Sequence, residues 1–135
     1  MGATLVLEDH LSAPILVAGL QGRGVDAVPV ADLGLGGKQP DSDLVKEIGN
    51  KVDLPWTFAT LDLTIIEDAS GFGWDRYAIA WIMVRKVLKG GAVEKAKQNI
   101  VHKHVEKMES QQPGDHWSYT ERSHYKHPPN LVTDR

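Results

Sequence analysis

Thr4-Leu5-Val6-Leu7-Glu8-Asp9 is a short apolar, β-prone run that ends in two acids, and it reads as the first strand of the fold. Working outward from it, Ser12 is placed to cap a helix that tolerates Pro14 in its first turn. That helix would bury Ile15, Leu16, Val17 and Leu20 before Gly22 and Gly24 stop it. Asp26 to Val30 reads as a second strand, followed by the loop Asp32-Leu33-Gly34-Leu35-Gly36-Gly37. Pro40-Asp41-Ser42-Asp43 opens a helix to about Asn50 with Leu44, Val45 and Ile48 inward, and Trp56 to Leu61 is a third strand ending at Asp62. A β-α-β-α-β order argues for a parallel sheet with helices on its faces.

The second half is less regular. Residues 67–75 read as a loop, and Tyr77 to Val84 as a fourth strand, with a short helix as the alternative. After Gly90-Gly91, residues Val93, Ala96, Ile100, Val101, Val105 and Met108 recur at helical spacing, with Lys95, Lys97, Lys103 and Lys107 elsewhere around the helix. Pro113-Gly114 ends it, and His116 to His127 reads as a final edge strand. The expected organisation is one domain over residues 1–127 and a loose tail over 128–135.

The 135 residues are enough to bury a core without staples. There is no cysteine, which excludes disulfides, iron–sulfur clusters and thiolate zinc sites and fits a cytoplasmic location. The N-terminus lacks the basic start and long apolar run of a signal peptide, and Ala78 to Val84 is far too short to span a bilayer, so no membrane association is expected. Charge is uneven. Residues 1–75 hold 4 Lys/Arg and 12 Asp/Glu, a balance of −8, whereas residues 76–135 hold 11 and 6, a balance of +5. An acidic half suits hard cations and a basic half suits a polyanion, although charge alone favours a solvated helix surface for the second.

In a parallel α/β sheet, ligands gather beyond the carboxyl ends of the strands. The three strands deliver Glu8 and Asp9, Asp32, and Asp62 to that edge, and the second helix opens there with Asp41 and Asp43. Clustered carboxylates repel one another unless cations neutralise them, and Mg²⁺ or Mn²⁺ prefers such oxygen ligands. Each acid also has a plainer role: Asp41 and Asp43 suit an N-cap, and Asp32 and Asp62 suit turns.

The segments 5–11, 24–37 and 41–44, together with Ala59-Thr60-Leu61-Asp62, resemble the PIN-like family, which includes the VapC-like toxin ribonucleases of bacterial toxin–antitoxin systems. The resemblance covers about the first 65 residues. It implies a PIN-like three-layer sandwich with a mainly parallel sheet of four to five strands, metal-dependent RNA cleavage, and neutralisation by a cognate antitoxin. It further implies Asp41, Asp43 and Asp62 as catalytic acids, with Glu8 standing where the family usually has Asp and Asp9 beside it. Glu8, Asp9, Asp41 and Asp62 would hold Mg²⁺ or Mn²⁺. His10, Lys38, Arg76, Arg85 and Lys86 are the candidates for contacting RNA, and a homodimer is among the expected assemblies. The rival expectations are a PIN-like binding module without activity and a metal-dependent phosphohydrolase acting on another substrate.

Other signals carry less. Gly34-Leu35-Gly36-Gly37-Lys38 fits no phosphate-binding fingerprint. His102 and His104, two apart on a helix, point in different directions and make a poor zinc pair. Trp117, Tyr119 and Tyr125 either stack on bases or pack on the core.

Overall fold

The computed structural model describes residues 3–35, 41–53, 55–61, 77–85 and 87–126, with the backbone alone at 41–43 and 45. The expected loop at 67–75 and the tail at 128–135 lie outside the described residues. The chain runs β1 (Thr4–Leu7), α1 (Pro14–Gly22), β2 (Ala27–Pro29), α2 (Asp41–Lys51), β3 (Trp56–Thr60), β4 (Ala78–Ile82), α3 (Gly91–Glu109), β5 (His116–Tyr119) and β6 (His124–Lys126). Short 3-10 turns follow β1 (Asp9–Leu11) and β2 (Val30–Leu33).

One six-stranded sheet has the order β2-β1-β3-β4-β5-β6. The first five strands are parallel, and β6 pairs antiparallel with β5. This is an α/β fold with a mainly parallel sheet, as the alternation of elements predicts. The sheet has six strands rather than the four or five expected. Tyr77 to Val84 resolves as a strand because its central residues find parallel partners on both sides, Thr57–Thr60 and His116–Tyr119.

Three consecutive apolar residues in β1 are explained by burial on both faces. Leu5 and Leu7 enter a cluster with Leu16 and Leu20 of α1 and Ile100, Val101 and Val105 of α3. Val6 points the other way, toward Ile48 of α2 and the aromatic side chains of Trp56, Phe58 and Trp81. All three are fully buried, so truncating either leucine to Ala costs about 2–5 kcal/mol.

Helices α1 and α3 therefore share one face. Yet β1-α1-β2 steps one way along the sheet and β4-α3-β5 the other, so these crossovers have opposite hands. Right-handed connections predominate in parallel sheets, and one of these two departs from that preference. The departure brings α3 alongside α1 at Gly19: a Cβ there would lie 3.1 Å from the His102 ring, which would have to shift. Arg23, just past α1, donates to His102 Nδ1 and to its carbonyl, both at 2.9 Å. Burial, and then the Arg23 charge, lower the His102 pKa.

Two local expectations change. Ser12 does not cap α1: its hydroxyl donates to the Asp9 carbonyl, Ala13 is the N-cap, and Pro14 occupies the first helical position, where its missing N–H costs nothing. His116 to His127 is not one edge strand but the hairpin β5–β6. Among the described residues no helix is long and apolar enough to cross a membrane.

Candidate functional site at the carboxyl rim of β1 and β3

A 2-1-3-4-5 order places the topological switch point between β1 and β3, and open α/β sheets bind ligands in the crevice there. Glu8 is the first residue past β1 at that point. Its N–H donates to the Ala59 carbonyl at 3.1 Å, extending the ladder by one step. Its side chain then turns onto the end of β3. Oε2 accepts the Thr60 hydroxyl at 2.6 Å, and Oε1 accepts the Leu61 N–H at 2.8 Å. His10 Nδ1 stands 3.5 Å from Oε1 and adds charge when protonated. The side chain is 13% exposed, so these bonds form largely out of water.

The arrangement suits a cation in one respect. A carboxylate has about four lone-pair positions, and two are taken by Thr60 and Leu61, so Glu8 retains acceptor capacity on a fixed, oriented group. Asp9 opens the 3-10 turn and is exposed. Asp32 lies exposed in the turn beyond β2. The backbone of Asp41 and Asp43 begins α2, while their side chains lie outside the described residues, as do Asp62, Lys38, Arg76 and Lys86 altogether. Asp62 directly follows Leu61, whose N–H the Glu8 carboxylate holds. Among the described residues no group of three or more His, Asp or Glu side chains is arranged to hold a metal.

The rim gains a cation that the sequence reading put elsewhere. Lys97 is not on the solvent side of α3 but on its buried face, with its side chain 9% exposed. Its Nζ donates to the His10 carbonyl and to Glu94 Oε1, both at 2.9 Å. The signal was present: Lys97 stands three and four residues before Ile100 and Val101, on the stripe that carries the core. Thr60, the other group that sequence reasoning missed, gives no such signal, since a strand-end threonine is common.

Arg85 follows β4, and its Nε lies 3.5 Å from Glu121 Oε1, away from Glu8 in the strand order. His102 and His104 do diverge: the first meets Arg23, and the second meets the Thr120 carbonyl at 2.8 Å. Tyr119 is fully buried and donates to Gln111, and Trp117 packs against the core under Lys107, 4.1 Å from its ring centroid. Of the three aromatic residues only Tyr125 is exposed.

No family model matches the chain, and no curated protein or solved structure is significantly similar to it. What the structure defines is a class: an α/β protein whose mainly parallel sheet carries an oriented carboxylate at its switch point.

Proposed function

We propose that the protein is a metal-dependent endoribonuclease of the PIN-like kind, acting in the cytoplasm as the toxin of a toxin–antitoxin pair. The observation that carries this reading is the oriented Glu8 carboxylate at the β1/β3 switch point, which accepts the N–H of Leu61, the residue before Asp62. Glu8, with Asp9, Asp41 and Asp62, would hold Mg²⁺ or Mn²⁺, and Asp43 would join them as a catalytic acid. When bound, the ion supplies a polarised phosphoryl oxygen and an activated water.

The chain's own part is orientation. Thr60 and Leu61 fix the direction of the Glu8 carboxylate, and Lys97, ion-paired with Glu94, ties α3 to the same rim through the His10 carbonyl. His10 and the basic half of the chain would receive the phosphate backbone. A cognate antitoxin would cover this rim, and a homodimer fits the same reading.

Cleavage of an unstructured RNA in the presence of Mn²⁺ tests the proposal. The parent chain is expected to cut, and Asp62→Ala to lose cleavage with its thermal midpoint unchanged. Equal cutting by the pure variant would refute the site assignment.

A second reading is favoured by the same bonds: the Glu8 carboxylate already links β1 to β3, which is a sufficient structural role in a binding module without catalysis. Failure of millimolar Mn²⁺ to raise the thermal midpoint, together with no cleavage of any RNA, would select it, because a ligand bound only by the native state stabilises that state.

A further inference from the structure

Two histidines meet where the last hairpin lies against α3. His104 is 7% exposed, and its ring centroid stands 5.6 Å from that of His124 on β6, edge to face at 76°. The strand they fasten has little else to hold it. β6 spans three exposed residues at the end of the sheet and, among the described strands, pairs only with β5. A strand this short contributes little stability by itself.

The other ties run from α3 to the turn. His104 Nε2 donates to the Thr120 carbonyl and Lys103 Nζ to the Glu121 carbonyl, both at 2.8 Å. Thr120 in turn builds the turn. Its hydroxyl accepts the N–H groups of Arg122 and Ser123, and its own N–H donates to the Ser123 carbonyl at 2.8 Å.

A carbonyl only accepts, so Nε2 carries the His104 proton and the neutral ring has a bare Nδ1. Acid adds its proton there. Among the described residues Nδ1 makes no hydrogen bond, and no carboxylate pairs with either histidine. The free charges nearby have the wrong sign. Lys103 neighbours His104 on α3, and Lys107 Nζ lies 4.1 Å from the centroid of Trp117, whose ring is 5.2 Å from that of His124. Tyr119 of β5, 5.1 Å from the His104 ring, is kept neutral by burial, and the turn adds Arg122. Lys126 of β6 is paired with Asp115, as Glu121 is with Arg85, both at 3.5 Å. His116 faces Trp81 on the other side of the sheet. Charging both rings therefore sets like charges side by side, one of them buried. Burial first, then the charges of His124 and Lys103, lower the His104 pKa against the pull of its Thr120 bond. The released form binds the extra proton more tightly, so release is favoured as pH falls.

We propose that His104 and His124 form a proton-operated latch: neutral, they hold β6 and its turn on α3, and protonated, they release β6 and bare the edge of β5 at Trp117–Tyr119. The latch uses no residue of the β1/β3 rim, so it stands whether or not that rim cuts RNA.

Amide hydrogen exchange of the full chain, read by NMR as protection factors at about pH 7.5 and about pH 5.5, tests it. The Thr120 N–H reports the turn. The Leu5 N–H, which donates to the Asp26 carbonyl at 2.8 Å, reports the rest of the sheet. Thr120 protection should fall about tenfold between the two conditions, the change that one pKa unit between docked and released forms brings, while Leu5 protection holds. His124→Gln, at an exposed position, should cut that fall to less than about threefold. His104→Gln keeps a donor for the Thr120 carbonyl without a titratable ring and should flatten the profile as well. If Thr120 protection does not change with pH, if Leu5 protection falls with it, or if either Gln variant loses as much as the parent, the proposal is overturned.

Discussion

Two glutamates stand on one rim of the sheet and meet opposite fates. Glu8, past β1, has both carboxylate oxygens hydrogen-bonded to the end of β3. Glu121, past β5, keeps a buried oxygen with no donor among the described residues, although a guanidinium is close by. The same residue type at equivalent ends of parallel strands thus does different work. A carboxylate whose bonds are met inside the chain holds strands together and offers spare lone pairs. One whose bonds are not met leans on a nearby charge alone and stabilises little.

The comparison makes its largest demand at Glu8. Glu8→Ala removes the carboxylate that accepts from the buried Thr60 hydroxyl and from the Leu61 N–H, and is expected to cost about 2–4 kcal/mol in chemical denaturation. A loss below about 0.5 kcal/mol would place the link between β1 and β3 elsewhere.

Acid should act through the two histidines of α3. Burial lowers the pKa of His104, reinforced by His124 and Lys103 and opposed by its bond to Thr120, and burial with Arg23 lowers that of His102. Folded values below the ordinary 6.5 mean that the unfolded chain binds more protons, so stability is complete above 6.5 and falls as pH drops below it. Denaturation midpoints across that window should fall for the parent and fall less for His104→Gln. Hydrogen exchange should show the β5–β6 turn opening before the β1/β3 rim. Equal opening of both would remove the contrast between them.

The smallest effect belongs to Glu121. Glu121→Gln should change stability by no more than about 0.5 kcal/mol, because the chain gives that carboxylate oxygen no hydrogen bond to lose. A loss matching that of Glu8→Ala would show that Glu121 too is a structural link.

The parts of the fold legible in the sequence were those governed by local pattern. Leu5-Val6-Leu7 reads as a strand because it is apolar, and the acids after it necessarily reach the carboxyl rim of a parallel sheet. The β5–β6 hairpin looks like one strand in sequence because its turn contains no Gly, Pro, Asn or Asp. Thr120 builds it instead, through a hydroxyl that captures two N–H groups, a weaker signal in sequence. The strand order, the opposite hands of the crossovers and the shared face of α1 and α3 are long-range choices that periodicity does not encode. Lys97 followed from them: its position on the core stripe was readable, but its reach to His10 depends on α3 lying against the β1 rim. At the candidate site Glu8 was legible, whereas its partner Thr60 was not.

The central claim is that a divalent cation is held where β1 and β3 end, and Mn²⁺ titration followed by amide NMR of the full chain tests it most directly. Substoichiometric Mn²⁺ should broaden the amides of Glu8, Asp9 and Leu61 while those of residues 120–123 stay sharp. Sharp signals at Glu8 and Leu61 throughout the titration would contradict it.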